Sequence, residues 1–528
     1  MSFKIQNFPI LFGQIFGFLI VILILILKGI NGSGGDSSTI YTSLFWIAQD
    51  MVIFAKFIRG GMYQLMIIFT ILFSIILFYY SRKINDSITK NYIIFLGSIL
   101  SNIFLCFSII FLLLNEWFFF GALVTVPFFI GCGLVISSLM QNIFNERKNI
   151  LLKFSNCIYF LIILVLILPN FSSVAGFLPE PPETKNNVFG NGGDYAVQKM
   201  KLKINPSDFI FENMTDWSKE YDWNVHIYVP DPVPQNMPLA IYIHGYEGEE
   251  EWVYTDSLAT IASRGVAVIF PQYTSNYDVS KYDPEMLIYS EGGSNHPQHE
   301  WRYSMAWDGV QLGIDYLENN FESFNPSNLW VGGHSMGAGV SMYVITESIS
   351  KGWGNDSFII NLEAPWVYSS YEPFRGNMSL LPEHTIVNVV EYEDDNVVER
   401  CIGVWEFNRI KTRDGCGDLN ESRVKYLKIY SDRVGFPKLI ASHYIQATTI
   451  RDVLADFSYY KRIDAQASYL FGIANNNLEL VNVSGKYFFQ DGEELTSMGF
   501  WSNGVPVNEI EIYNDPFNVD LYQCKSDV

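Results

Sequence analysis

The chain has 528 residues, a formal charge of −21 and a hydrophobic share of 49%. At roughly 150 residues per domain that length calls for more than one unit, and no stretch clusters the Lys and Arg needed to grip phosphates, which excludes nucleic acid as a partner. Ile, Leu and Phe dominate the first third, whereas acidic residues, Trp and turn formers gather from about Asn170 onward.

Residues 9–28, 61–80, 92–114, 117–140 and 154–169 are apolar with almost no charge inside. About 20 such residues in helical form cross a hydrocarbon core about 30 Å thick, so 1–169 is expected to be a transmembrane region with about five helices. The first stretch has no small-residue cleavage site behind it and reads as a retained anchor. Arg82, Lys83 and Lys90 in one connection and Arg147, Lys148 and Lys153 in another are expected on the cytoplasmic side. The last span then runs outward, and everything after Asn170 is expected on the extracytoplasmic side of an integral, multi-pass protein. Segment 42–59, interrupted by Asp50, Lys56 and Arg59, is expected to lie on the surface or re-enter. Sequons at Asn213, Asn355, Asn377, Asn420 and Asn482 agree with an exterior location.

Pro179, Pro181, Pro182 and the glycines at 190, 192 and 193 mark 170–195 as a linker. Beyond it, 223–229 alternates as a strand exposed on one face, and 239–243 and 266–270 are short apolar runs expected of strands buried on both faces. Further strands are expected at 328–332, 357–362, 385–391 and 424–430, with helices at 254–264, 303–319 and 336–351. Alternating strands and helices predict an α/β domain, a mostly parallel sheet covered on both faces, over 196–456. Residues 457–528 are expected to form a C-terminal extension packed on it, with 485–490 and 507–513 as small added strands.

Gly333-His334-Ser335-Met336-Gly337 stands between the expected strand at 328–332 and the helix that follows. A serine on a sharp strand-to-helix turn needs glycines beside it, and this context makes Ser335 the candidate nucleophile. Residues 222–456 resemble the α/β-hydrolase superfamily, nearest its esterase branch of dienelactone hydrolases, chlorophyllases and platelet-activating-factor acetylhydrolases. The resemblance is carried by Ala240-Ile241-Tyr242-Ile243-His244-Gly245, the Gly-His-Ser-Met-Gly turn, Asp395-Asn396-Val397-Val398, and Asp432 to Pro437 ahead of Ser442-His443. It implies an α/β-hydrolase fold, a Ser-His-Asp triad acting on an ester, and no cofactor.

A serine hydroxyl needs an imidazole to take its proton. His384 stands before the strand at 385–391, at its wrong end, whereas His443 follows the last strand and is the expected base. Glu391, Glu393, Asp394 and Asp395 all crowd the position of the acid; the resemblance favours Asp395, with Asp394 the near alternative and Glu363, one strand earlier, another. The oxyanion donors are expected to be the backbone N–H of Met336 and, by family analogy, that of Tyr246, with His244 supporting the loop. His296, His299 and Glu300 lie in a Pro-containing polar loop and are not expected to bind a metal. No Cys-x-x-Cys pair occurs, and a Cys401–Cys416 disulfide is expected only in an oxidising compartment. The expected substrates are small-molecule or lipid esters. An acyltransferase or peptidase with the same triad, and a non-catalytic adhesion or receptor ectodomain on this fold, are the alternatives.

Overall fold

A computed structural model of the chain describes residues 179–184, 187–275, 298–366, 375–395, 397–435, 438–448 and 451–513, together with 12–13, 15–23, 95 and 99. Met1–Leu178 and Pro179–Val528 form two compact units. In the first, 12–13 and 15–23 are helical, with Phe12, Ile15, Phe16, Phe18 and Leu19 exposed. Among the described residues no helix is long and apolar enough to cross a membrane. The expected spans 61–80, 117–140 and 154–169, both basic connections and segment 42–59 lie outside the described residues, as do 9–11, 14 and 24–28 of the first span and all of 92–114 except 95 and 99.

The second unit is built on one sheet. Its strands are β1 (Ala196–Lys203), β2 (Asn224–Asp231), β3 (Met237–Ile243), β4 (Ala267–Pro271), β5 (Phe324–His334), β6 (Ser357–Glu363), β7 (Ile386–Tyr392), β8 (Val424–Ile429) and β9 (Glu511–Tyr513). They lie in the order β1-β2-β4-β3-β5-β6-β7-β8-β9. Pairing is antiparallel for β1–β2, β2–β4 and β8–β9 and parallel elsewhere. Apart from the added β9, this is the strand order of the α/β-hydrolase fold, and it sets the carboxyl ends of β5, β6, β7 and β8 side by side.

Among the described residues five helices cover the sheet: α1 (Thr255–Ala262), α2 (Gln298–Asn320), α3 (Met336–Ser350), α4 (Arg400–Lys411) and α5 (Lys461–Ala474). On one face Ile241, Val331, Ile360 and Val389 pack with Val310 and Ile314 of α2, Val344 of α3 and Phe407 of α4. On the other, Tyr242, Trp330, Ile359 and Leu427 pack with Leu258 and Ile261 of α1 and Ile463 and Leu470 of α5. Each such side chain contributes about 1.5–3 kcal/mol by leaving water, and two-sided cover explains why β3, β4, β6, β7 and β8 are buried along their whole length.

Several elements differ from the sequence expectation. β2 is buried on both faces, except at His226 and Asp231, because β1 and β4 flank it and both layers reach it. β1 falls just past the expected linker. It is an edge strand whose exposed Lys199, Lys201 and Lys203 discourage pairing with another chain. In 457–528, α5 lies directly against the sheet. Residues 485–490, read as a strand, are the end of the helix Leu478–Gly485 and the turn after it, and only Glu511–Tyr513 of the second segment joins the sheet. Cys416 is free and exposed, so the Cys401–Cys416 pairing does not form. Cys401 is disulfide-bonded, and the other cysteines lie outside the described residues.

Candidate active site

Ser335 sits at the junction of β5 and α3 with φ 56° and ψ −125°, a conformation an L-residue adopts only under strain. Its backbone is held from several sides: Ser335 N–H donates to the Glu363 carbonyl at 2.8 Å, and the Ser335 carbonyl accepts from Trp366 N–H at 3.2 Å. The flanking glycines are sterically required. A Cβ on Gly333 would stand 2.6 Å from the Gly337 carbonyl carbon, and one on Gly337 would overlap the His244 carbonyl oxygen.

His443, on the loop after β8, is buried and its Nδ1 lies 2.7 Å from Asp395 Oδ2. The other Asp395 oxygen accepts from Val397 N–H at 2.9 Å and Val398 N–H at 3.1 Å. The carboxylate is therefore fixed in rotation, and because it accepts from Nδ1–H it leaves Nε2 of His443 as the free base nitrogen. The competing acids are engaged elsewhere. Asp394 binds Arg433 Nη2 at 2.5 Å and the Ser431 hydroxyl. Glu393 accepts from Ser431 N–H at 2.9 Å, and Glu391 from Tyr426 at 2.8 Å. Glu363 Oε1 accepts from Asn361 and Arg462, both at 2.8 Å, and its Oε2 from Tyr392 at 2.5 Å and Gln446 at 3.5 Å. These donors fill the roughly four lone-pair directions of a carboxylate, leaving none for an imidazole. His384 instead contacts the Gly354 carbonyl at 3.0 Å, away from Ser335.

His334, which the sequence offered only as a letter of the motif, links two loops. Its Nε2 is 2.8 Å from the His443 carbonyl, an acceptor, so Nε2 carries the proton. Nδ1 then accepts from the Tyr254 hydroxyl at 3.0 Å, whose oxygen accepts from Gly245 N–H at 3.1 Å. Burial, with His443 beside it, holds the His334 pKa well below the usual histidine range, so it stays neutral. One imidazole thus couples the His443 loop to the loop expected to supply the second oxyanion donor.

That loop lies against the elbow: a Cβ on Gly245 would be 3.3 Å from Ser335 Cβ. Glu247 N–H donates to Ser275 Oγ at 3.0 Å and Gly248 N–H to the Gly245 carbonyl at 3.1 Å, which shapes the turn. His244 contacts the Gly245 carbonyl through Nδ1 at 2.8 Å and accepts from Tyr273 N–H at Nε2, at 3.1 Å. Burial lowers its pKa to about 4, so it is a neutral brace for the turn. The half-exposed Tyr246 ring faces Trp366 edge-on, centroids 6.4 Å apart. Met336 is buried at the first turn of α3, where a helix N-terminus presents unpaired N–H groups and partial positive charge.

No protein-family model matches the sequence, and no curated protein does. Solved structures do. An esterase of the fungus Rhizomucor miehei is 13% identical over 59% of this chain and 91% of its own, with a TM-score of 0.35. A bacterial heroin esterase is 13% identical over 58% and 89%, at 0.32. A hyperthermophilic esterase from the archaeon Pyrobaculum calidifontis is 12% identical over 54% and 86%, at 0.33. Likeness at that level carries no argument about activity; strand order and the strained serine turn define the fold.

His299 and Glu300 belong to the first turn of α2, not to a loop, while His296 lies outside the described residues. Among the described residues no group of three or more His, Cys, Asp or Glu could hold a metal ion.

Proposed function

We propose that this chain is a membrane-anchored serine hydrolase that cleaves carboxylic esters. Ser335 Oγ attacks the ester carbonyl as His443 Nε2 takes its proton, and the backbone N–H groups of Met336 and Tyr246 receive the oxyanion. The C–O bond then breaks, the imidazolium returns the proton to the leaving alcohol, and an acyl-enzyme remains on Ser335. Water attacks that acyl carbon with His443 again as base; the acid leaves and Ser335 regains its proton. Asp395 holds the tautomer and stabilises the imidazolium throughout. The observation that carries this reading is the 2.7 Å contact of His443 Nδ1 with Asp395 Oδ2 at the sheet edge where Ser335 has φ 56°.

Anchoring rests on the apolar stretches between 9 and 169, and an extracytoplasmic location on the basic residues of the connections at 81–91 and 141–153. The exposure of Asn355, Asn377, Asn420 and Asn482 supports that side. The Tyr246–Trp366 pair beside Ser335 suits an apolar acyl or alcohol group. The test is hydrolysis of p-nitrophenyl esters of graded chain length by the full-length chain in detergent, with Ser335→Ala and His443→Ala alongside. Turnover by the parent and none by the serine variant is expected; equal turnover by Ser335→Ala would move the nucleophile elsewhere. Glycosidase-induced mobility shifts in a eukaryotic host test the orientation, and absence of glycan from all four exposed sequons contradicts it.

A further inference from the structure

The Glu363 carboxylate is fully engaged yet makes none of the contacts of the proposed triad. It is buried, and so are the partners it gathers: Asn361, Tyr392, Gln446 and Arg462. Two of those partners, Tyr392 and Gln446, belong to segments that carry the triad, and Glu363 itself touches the backbone of the third member. Glu363 ends β6, and its carbonyl accepts the Ser335 N–H at 2.8 Å. Tyr392 ends β7, three residues before Asp395, and gives its hydroxyl proton to Glu363 Oε2 at 2.5 Å. Gln446 lies three residues after His443; its Nε2 donates to the Tyr392 hydroxyl oxygen at 2.8 Å and approaches Glu363 Oε2 at 3.5 Å. Arg462 of α5 donates to Glu363 Oε1 at 2.8 Å and to Asn361 Oδ1 at 2.7 Å.

We infer that Glu363 is a positioning residue, whose buried carboxylate ties the strand beside Ser335, the strand leading to Asp395 and the loop carrying His443 into one rigid unit, with Arg462 as its counterion. The inference rests on the esterase reading of the site. Beyond the strand ends the loops share isolated backbone hydrogen bonds, among them Asp394 N–H to the Ala441 carbonyl at 2.9 Å and Trp366 N–H to the Ser335 carbonyl at 3.2 Å, so buried side chains carry much of what holds their relative positions. Displacement of a catalytic group by about 1 Å can cost about 10²-fold in rate. A charged hub suits this task because its bonds are shorter and stronger than neutral ones. Its cost is that neither partner of the buried ion pair can be removed alone without stranding the other.

Glu363→Gln therefore confounds stability with positioning, and the decisive variants leave the ion pair intact. Gln446→Met removes only the link from Tyr392 and Glu363 to the His443 loop while keeping side-chain length. Tyr392→Phe removes the hydroxyl that bridges Gln446 and Glu363. For each, the full-length chain in detergent is compared with the parent in kcat, KM, thermal midpoint and the second-order rate constant of reaction with a fluorophosphonate. The expected result is a fall of about 10- to 100-fold in kcat and in the probe rate constant, KM changing less than about threefold, at a temperature where the variant is fully folded. A folded fraction that reacts at the parental rate constant, whatever the midpoint, overturns the inference while leaving the esterase reading standing. A parent that does not react with the probe overturns the esterase reading itself.

Discussion

Asp395→Asn isolates the carboxylate's role because the surroundings dictate which way the new amide must face. Asp395 Oδ1 accepts two backbone N–H groups, from Val397 and Val398, at 2.9 and 3.1 Å. An asparagine keeps both bonds only by putting its carbonyl oxygen there, which forces the NH₂ into the place of Oδ2, 2.7 Å from His443 Nδ1. That NH₂ donates, so Nδ1 must give up its proton and Nε2 must hold one, and the base can no longer accept from Ser335. A tautomer fixed the wrong way lowers kcat about 10⁴-fold in a serine triad. At 1.36 kcal/mol per tenfold this is a barrier increase of about 5 kcal/mol. The loop keeps its two turn bonds, so the thermal midpoint should move little. Initial rates on a p-nitrophenyl ester, beside a thermal melt, read both quantities. Asp394→Asn is the control: it touches Arg433 and Ser431, not His443, and should retain more than about a tenth of the activity. A folded Asp395→Asn protein within about tenfold of the parent refutes the tautomer argument.

Gly337→Ala drives a methyl group into the His244 carbonyl; a loss of about 3 kcal/mol in urea unfolding and of esterase activity is expected, and a parental midpoint would show that the turn relaxes freely. Trp330→Ala empties the space between β5 and α5 and strands the Gln466 oxygen that accepts the indole N–H at 2.8 Å. It should cost about 3–5 kcal/mol, and a change below about 1 kcal/mol would contradict the packing. Burial pushes the Glu249 carboxyl up from its ordinary 4.5 to about 7. The folded state therefore holds a proton that the unfolded state releases first, so this group's stabilisation is full below about pH 4.5 and is lost as pH rises through about 7. Glu249→Gln should remove up to about 3 kcal/mol of that decline between the two values, read as the parent-minus-variant unfolding energy against pH; a flat difference refutes it.

The strands were legible because two-sided burial writes short uninterrupted apolar runs, as in Ala240-Ile241-Tyr242-Ile243. The serine turn was legible because its glycines are demanded by contacts within about ten residues of chain or at one neighbouring strand end. Asp395 was not separable from Glu391, Glu393 and Asp394 on composition alone; what singles it out is geometry, since Arg433, Ser431 and Tyr426 take up the others. The Glu363–Arg462 pair joins residues 99 apart in the chain, a separation no local pattern reports. β1 hid because an edge strand carries lysines where a core strand carries valines. The run Tyr487-Phe488-Phe489 imitated a strand, but it is a turn whose rings pack on Tyr469 of α5, at 5.4 and 5.6 Å for Phe488 and Phe489. α4, Arg400–Lys411, was missed because its polar residues mask the Val404, Phe407 and Ile410 stripe that meets the sheet.

The central claim is that one strained serine performs covalent chemistry. Peptide mapping by mass spectrometry of the full-length chain after reaction with a fluorophosphonate tests it most directly. The account predicts a single stoichiometric adduct on Ser335, absent when His443 is replaced by alanine or the protein is unfolded first. An adduct confined to another residue, or ester turnover by a chain whose Ser335 stays unmodified, would contradict it.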